Sequence, residues 1–344
     1  FLFYPAKAIG EYYPFLVAYF IMTCGLSFLE TSSNPYILSM GSDETATRRL
    51  NLAQSFNPMG SLLGMFVAMN FIQAKLNPLD TASRANLSDA EFAAVKDYDL
   101  AILIGPYLAI GIVILVMFLV ILFAKMPKNG DKNHEINFLP TLRRIFRMPH
   151  YREGVIAQFF YVGVQIMCWT FIIQYGTRIL MTEGMQEQLA EVTSQKYNIA
   201  AMVIFCCSRF ICTFILRYLN AGQLLMILAI AGGILICGVI GLQNIYGLYC
   251  LVGVSACMSL MFPTIYGIAL TGLGDDAKFG AAGLIMAILG GSVLPPLQAM
   301  IIDLKTVAGI PAVNASFILP FICFVVIAIY GCRTKMRSKG LLKN

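Results

Sequence analysis

The chain has 344 residues, of which 58% are hydrophobic and only 12% charged, with a net charge of +6 and a mean hydropathy of +0.75. Soluble globular proteins carry about 25% charged residues, so this composition excludes an ordinary soluble enzyme and predicts a membrane protein. No basic face with interleaved aromatic residues occurs, which excludes nucleic acid as a partner. The chain starts at Phe1 inside an apolar run, without the shape of a signal peptide. We therefore expect a fragment that begins inside a larger membrane protein.

Apolar runs long enough to cross a bilayer, which takes about 20 residues, follow one another along the chain. A stub at 1–6 precedes nine predicted spans, at 13–40, 50–74, 100–125, 154–180, 197–218, 222–242, 246–271, 281–302 and 312–331. The predicted fold class is therefore an all-α membrane protein. Ser88 is followed three residues later by Glu91, which predicts a capping box ahead of the third span.

The basic residues of the loops indicate how the spans are oriented. If the C-terminal tail is cytoplasmic, basic residues favour the cytoplasmic side by roughly two to one, as the positive-inside rule requires. The cytoplasmic set then includes Arg48, Arg49, Arg143, Arg144, Arg147 and the tail from Arg333. The external basic residues, such as Lys7 and Arg84, are mostly offset by nearby acids.

Cysteine and histidine do not form a catalytic or metal-binding pattern. The ten cysteines all lie in or at the ends of apolar runs, so we expect buried free thiols that act as small apolar fillers. His134 and His150 fall in one polar loop. Motifs of ATPases, hydrolases and metalloproteases do not occur, and the sequence predicts neither an enzyme nor a bound cofactor or metal.

Glu30 is the one acid of eighteen that lies in the middle of a predicted span. An ionisable residue at membrane depth is costly and is a functional candidate for that reason. Apolar surroundings disfavour the charged form of a carboxyl, so such a group can hold a proton and release it when its surroundings change. This is the property that proton coupling requires; a permanently protonated structural residue is the alternative.

Amide side chains lie close to Glu30 in the sequence. Asn34 follows it by four residues on the same helical face, and Asn51, Gln54 and Asn57 form a polar stripe in the next span. Amides both donate and accept hydrogen bonds, which suits sugar hydroxyls. Polar contacts between helices are the competing explanation.

The span at 154–180 places a second group of candidates on one face. Gln158, Tyr161, Gln165 and Trp169, the only tryptophan, have offsets of helical period. A ring beside two amides suits a sugar, whose C–H face packs on aromatic surfaces; a packed core face is the alternative. Arg209, inside another span, is expected to snorkel or to connect helices.

Two runs of residues resemble the fucose–galactose–hexose permease family of the major facilitator superfamily. They are LETSSNPY at 29–36 and RLNLAQSFN at 49–57, with further similarity at 158–163, 168–169 and 263–265. The resemblance covers essentially the whole chain. It implies twelve spans in two six-helix halves, alternating access, and a sugar site at mid-membrane. The first two spans and most of the third would then be missing, together with an essential aspartate of the first span.

The resemblance also implies roles for individual residues. It assigns Glu30 to proton coupling and sugar contact, and Gln54, Asn57 and Trp169 to the cavity. Phe262 stands where L-fucose symporters of the family have a cavity tyrosine, so one hydroxyl is lost. Glucose and galactose carriers tend to have Gln at the position of Glu30. The expected substrate-binding set is Asn34, Gln54, Asn57, Gln158, Gln165, Trp169 and Phe262.

These observations together predict a proton-coupled symporter that imports a monosaccharide, with L-fucose as the expected substrate and the proton as coupling ion. The alternatives are an uncoupled or differently specific hexose carrier and a membrane sugar sensor that does not transport. We expect a monomer in the bacterial inner membrane. The expected domains are a helical remainder at 1–125, a cytoplasmic linker at 126–152, a six-helix half at 153–332 and a basic cytoplasmic tail at 333–344.

Overall fold

The structure is a computed structural model, and it describes residues 1–73, 75–77, 79, 83–84, 86–125, 138–304, 306–307, 309–338 and 340. Within these ranges the chain is almost entirely helical. The helices are α1 Phe3–Ile9, α2 Tyr12–Ser39, α3 Asp43–Gln54, α4 Phe56–Val67, α5 Asp89–Phe123, α6 Phe138–Arg147, α7 Pro149–Thr182, α8 Glu187–Ile215, α9 Ala221–Gly241, α10 Ile245–Met258, α11 Met261–Leu270, α12 Ala277–Met286, α13 Gly290–Ile302, α14 Ala312–Ala315 and α15 Ile318–Ser338.

Short elements complete the fold. A π-helical segment, Ala68–Gln73, continues α4, and 3₁₀ turns at Gly274–Asp276 and Ala287–Leu289 flank α12. Two antiparallel strands, β1 Thr306–Val307 and β2 Ile310–Pro311, pair through Thr306 with Pro311 and Val307 with Ile310. These strands connect α13 to α14.

Eight of the helical segments among the described residues are long and apolar enough to cross a membrane. They are Tyr12–Ser39, Asp89–Phe123, Pro149–Thr182, Glu187–Ile215, Ala221–Gly241, Ile245–Leu270, Ala277–Ile302 and Ala312–Ser338. The predicted all-α membrane fold is confirmed. The predicted span at 50–74 differs, because a turn at Ser55 and the π-helical segment divide it into shorter helices. Pro58 contributes to the division, since it cannot donate a backbone hydrogen bond.

Two compact units are present: the first comprises Phe1–Leu29 and Gly60–Gly130, the second Glu30–Met59 and Asp131–Asn344. The helices α2 and α4 therefore contribute to both units. Residues 126–137 of the expected linker, with His134, lie outside the described residues. The rest of that linker contains α6. His150 lies in the first turn of α7 rather than in a loop, because Pro149 suits the first position of a helix.

A small aromatic cluster holds the first unit together. Phe3 stacks on Tyr107 with ring centroids 4.4 Å apart and contacts the edge of Tyr19 at 5.0 Å. Lys7 pairs with Asp97 at 3.2 Å and Arg84 with Asp99 at 2.8 Å, so acids offset these two basic residues as expected.

The predicted capping box at the start of α5 is confirmed. The Ser88 hydroxyl accepts a hydrogen bond from the Glu91 amide at 3.4 Å, and the Glu91 carboxylate accepts one from the Ser88 amide at 3.0 Å. These two bonds satisfy backbone N–H groups that the helix itself leaves unpaired.

The second unit has a continuous apolar core formed by α7 to α11, α13 and α15. Its largest fully buried side chains include Tyr161, Met167, Tyr175, Phe317 and Phe324. Small residues let the helices approach closely; for example, a side chain at Gly290 would collide with the Phe159 carbonyl of α7.

Polar side chains of the second unit satisfy carbonyls at helix ends. The Tyr175 hydroxyl and the Asn314 amide both donate to the Val239 carbonyl near the end of α9, at 2.9 and 3.1 Å. Arg49 donates to the Leu38 carbonyl at 2.7 Å and thereby ties the end of α2 to α3. Such bonds offset the cost of leaving the last carbonyls of a helix unpaired in an apolar environment.

Three ion pairs fix the ends of α6 and α15. The Arg144 guanidinium binds both carboxylate oxygens of Asp276, at 2.7 and 2.5 Å, and this bidentate contact raises the pKa of Arg144 above its usual value. Glu153 of α7 accepts from Arg333 and Arg337 of α15, at 2.9 Å each.

The ten cysteines are free thiols, as predicted, but they are not all buried. Cys168, Cys206, Cys212, Cys257 and Cys323 are buried, whereas Cys207 and Cys237 are exposed. An apolar run in a membrane helix can turn one face outward, since lipid is as apolar as a protein core. The prediction of buried fillers is therefore wrong for these two residues.

Candidate functional site

The amide pair between α2 and α3 lies at the centre of the candidate site in the second unit. The Gln54 side-chain nitrogen donates to the Asn34 side-chain oxygen at 2.9 Å. Asn34 is 2% exposed, and its own Nδ2 has no hydrogen-bond partner among the described residues. Because a buried donor without a partner costs about 1–3 kcal/mol, this nitrogen is suited to bind a ligand oxygen.

Glu30 lies one helical turn before Asn34 on α2 and is half-buried. It is within electrostatic range of Tyr266 of α11, and Asn34 lies beside the same tyrosine. The Tyr266 hydroxyl is buried and makes no hydrogen bond of good geometry among the described residues, although the Asn34 side chain lies close enough to pair with it. Three polar groups of two helices thus meet here: a carboxyl, an amide and a hydroxyl.

Sequence reasoning missed Tyr266. A signal was present, because Tyr266 follows Phe262 by four residues and so lies one turn further along the same helical face. The two rings stack with centroids 6.2 Å apart and an interplanar angle of 20°. A hydroxyl is therefore available one turn away from the position at which the family resemblance implied a lost one.

The aromatic candidates lie on α7 and α11. The Trp169 indole N–H donates to the Ser255 hydroxyl of α10 at 3.3 Å, and the half-buried ring meets the edge of Phe205 with centroids 4.9 Å apart. The Phe262 ring lies 6.2 Å from that of Tyr161. Tyr161 and Trp169 both donate to α10, which confirms that these two residues share a helical face.

Gln158 is the most unusual of the predicted site residues. It is fully buried, yet neither its amide oxygen nor its amide nitrogen has a hydrogen-bond partner among the described residues. Gln165, two turns further along α7, is half-buried. Since buried polar groups in native proteins are almost always paired, the Gln158 amide is a strong candidate for contact with a polar ligand.

The stripe of amides predicted on the next span separates into different environments. Asn51 is fully buried and donates to the Thr264 hydroxyl of α11 at 3.1 Å, so it makes the interhelical contact that was the competing explanation. Asn57 occupies an exposed position in the first turn of α4. Residues three apart are turned by about 300° on an α-helix, so Asn51 and Asn57 face different directions, and the turn at Ser55 places Gln54 and Asn57 in separate helices.

These features define a class of protein. Span-length helices carry a carboxyl, the amides of Asn34, Gln158 and Gln165, and aromatic rings away from their ends. No group of three potential metal ligands occurs in the described part of the chain. Such an arrangement is that of a multi-pass membrane carrier for a small polar solute.

Comparison with known proteins identifies the family, although no family model matches the chain. The chain is 51% identical over 339 residues to an L-fucose-proton symporter of Haemophilus influenzae. The aligned part comprises 97% of this chain and 77% of that protein. It is 31% identical to the L-fucose-proton symporter of Escherichia coli, over 96% of this chain and 74% of that protein. A glucose/galactose transporter of Brucella abortus is 28% identical, over 96% of this chain and 74% of that protein.

Solved structures agree with the sequence comparison. The crystal structure of a variant of the Escherichia coli fucose:proton symporter matches with a TM-score of 0.87 at 29% identity, over 97% of this chain and 80% of that one. A major facilitator superfamily transporter in the outward conformation matches with a TM-score of 0.86 at 30% identity, over 97% of this chain and 79% of that one. The chain belongs to the L-fucose–proton symporter family of the major facilitator superfamily, which consists of transporters and not of enzymes.

Proposed function

We propose that the protein is a proton-coupled symporter that imports L-fucose by alternating access. The observation that carries the proposal is the cluster of Glu30, Asn34, Gln54 and Tyr266, in which a mid-span carboxyl stands beside amide and hydroxyl groups with unused donors. The relatives that are 51% and 31% identical to this chain are named L-fucose-proton symporters, whereas the glucose/galactose transporters are 28% identical to it.

In the proposed mechanism, polar side chains on one side of the site bind the sugar hydroxyls, and aromatic side chains on the other side pack against the sugar ring. The protonated Glu30 carboxyl is neutral and can donate to a sugar hydroxyl, while Asn34, Gln54 and Gln158 bind further hydroxyls. Trp169 and Phe262 pack against the C–H face of the ring. Asn57 and Gln165 complete the proposed binding set. Release of the sugar and of the proton on the other side of the membrane returns the carrier to its starting state.

The wider organisation also belongs to this proposal. It includes two six-helix halves of the family fold, the bacterial inner membrane as location, a cytoplasmic C-terminus and a monomeric carrier. The domain boundaries expected at 125, 152 and 332 are retained as predictions. The basic residues at 143–147 and in the tail support the cytoplasmic assignment.

Uptake of labelled L-fucose into cells that carry the full-length protein tests the proposal. We expect accumulation to fall by at least about tenfold with a protonophore or with Glu30→Gln, because the driving force is then lost. Exchange of internal for external sugar should survive Glu30→Gln, since exchange needs no net proton movement. Glu187→Gln, which changes an exposed acid in the first turn of α8, is the matched control and should leave accumulation unchanged.

The alternatives give different results in the same experiment. An uncoupled carrier takes up L-fucose whether or not the protonophore is present. A hexose carrier is inhibited more strongly by D-glucose or D-galactose than by L-fucose. A sensor binds the sugar but shows no exchange in liposomes.

A further inference from the structure

Two membrane helices are interrupted in the same way by proline. In an α-helix each carbonyl accepts from the N–H four residues later, and proline has no N–H. Pro58 therefore leaves the Gln54 carbonyl without its helical partner, and Pro263 does the same to the Ser259 carbonyl. The helix α3 ends at Gln54 and α10 ends just before Ser259.

One side chain binds both of these carbonyls. Arg209 of α8 donates from Nη1 to the Gln54 carbonyl at 2.9 Å and from Nε to the Ser259 carbonyl at 2.5 Å. The residue is only 4% exposed, and its guanidinium lies over the Phe205 ring, 4.6 Å from the centroid. Arg209 thus connects helices and does not snorkel, and it satisfies the backbone groups that proline frees inside a membrane.

The surroundings of Arg209 contain dipoles rather than an opposite charge. It takes part in none of the ion pairs found among the described residues. Its rigid, forked guanidinium suits two carbonyls in different helices, because the donors point in fixed directions. A lysine in its place has a compact charge with no such fork.

We propose that Arg209 is a positioning residue of the sugar site. Through the Gln54 carbonyl it fixes the residue whose side chain binds Asn34. Through Phe205 it supports the ring of Trp169. One guanidinium thereby sets the position of the amide side of the site relative to the aromatic side. The inference rests on the proposed function, because it presumes that these two sides hold the sugar.

The break between α3 and α4 is the reason why we expect this contact to affect binding and not only stability. Gln54 lies at the turn between α3 and α4, where the backbone hydrogen-bond ladder is broken. Sharp kinks form at such proline-freed positions, so the orientation of the Gln54 amide depends on an external partner. Arg209 supplies that partner.

A double-mutant cycle in the full-length protein tests the proposal. Pro58→Ala provides an N–H that can donate to the Gln54 carbonyl and so replaces the bond from Arg209. We compare the wild type, Arg209→Met, Pro58→Ala and the double variant. Binding of labelled L-fucose and the melting temperature are measured for each. Arg217→Met, an exposed arginine just after α8, is the matched control.

We expect Arg209→Met to weaken binding of L-fucose by at least about tenfold, because the Gln54 amide and the Trp169 ring lose the group that positions them, and one misplaced hydrogen bond to the sugar accounts for a loss of this size. Pro58→Ala alone should change binding by less than about threefold, and the double variant should recover most of the tenfold loss. Arg209→Lys should be intermediate; it replaces Arg209→Met if that variant does not fold.

The remaining outcomes distinguish failure of the positioning role of Arg209 from failure of the proposed function. A wild type that binds L-fucose, combined with unchanged binding in Arg209→Met, refutes the positioning role even if the melting temperature falls. Equal losses in Arg209→Met and in the double variant refute it as well. A wild type that does not bind L-fucose refutes the proposed substrate, and the cycle is then read with D-galactose or D-glucose; binding of none of the three refutes both proposals.

Discussion

The two compact units of the chain place their polar side chains differently. In the first unit the Ser88 cap and the Lys7–Asp97 and Arg84–Asp99 pairs lie in the N-terminal third of α5, and the hydroxyls of Tyr19 and Tyr107 bond each other at an exposed position. The most apolar stretch of α5 has no buried residue. In the second unit, polar groups such as Gln158 and Arg209 lie inside, fully or almost fully buried.

We interpret this difference as one between polar groups that stabilise helices and polar groups that are proposed to bind the sugar. A polar group at a helix end remains near water, so its loss costs little. A polar group inside a membrane helix is expensive, and an unpartnered one such as Gln158 is retained at a cost to stability. We therefore expect substitutions of the proposed site residues inside the second unit to change sugar binding, and substitutions at the helix ends of the first unit to change stability alone.

The largest effect is expected from Gln54→Leu. The change removes a proposed sugar contact and leaves the Asn34 oxygen without its partner, so binding of labelled L-fucose should weaken by about 10- to 100-fold. Gln298→Leu is the control, because Gln298 is a fully buried amide that donates to the Ser316 hydroxyl and lies outside the proposed set. Equal loss of binding in both variants would contradict the assignment.

Gln158→Leu should have opposite effects on binding and on stability. Without the sugar, removal of a buried amide that has no partner should raise the melting temperature. With the sugar, binding should weaken by about tenfold, because one or two hydrogen bonds are lost. Thermal unfolding with and without L-fucose measures both effects; a lower melting temperature in the absence of sugar shows that the amide is structural.

Phe262→Tyr should improve binding by about 2- to 10-fold, the effect of one additional hydrogen bond. The hydroxyl would restore the group that the family resemblance implied at this position, next to Tyr161 and Tyr266. Competition between labelled and unlabelled L-fucose measures the change. If Tyr266 already supplies this contact, binding stays the same in Phe262→Tyr and weakens in Tyr266→Phe.

The smallest effect on binding is expected from Ser88→Ala in the first unit. Loss of the capping box costs about 1 kcal/mol of stability and should lower the melting temperature by a few degrees, with unchanged binding of L-fucose. Ser88→Asp keeps an N-cap acceptor and should keep the stability. A change in binding would show that the helix ends of the first unit affect the sugar site.

Much of this architecture could be predicted from the sequence, because apolar length and capping are local properties. The Ser88–Glu91 box and most of the apolar helices are in this category. The division of the predicted span at 50–74 was missed, since the turn at Ser55 depends on Pro58 together with a distant arginine. Proline four residues after a carbonyl marks that carbonyl as free, but only the folded chain shows that Arg209 binds it.

The candidate site could be predicted in part for a similar reason. Glu30, Asn34 and Gln158 stand out as polar residues in apolar runs, and that signal needs no tertiary information. The bond between Gln54 and Asn34 joins two helices and has no signature in either one. Tyr266 was overlooked because a tyrosine is ordinary in an apolar helix, and only its unpartnered buried hydroxyl marks it.

The most direct test of the account is the movement of protons when sugar is added. Inverted vesicles that carry the full-length protein are given L-fucose without any other energy source, and the pH is recorded. The account predicts a pH change that accompanies L-fucose transport in the wild type and is absent in Glu30→Gln. Transport of L-fucose without any pH change in the wild type, or an unchanged signal in Glu30→Gln, would contradict it.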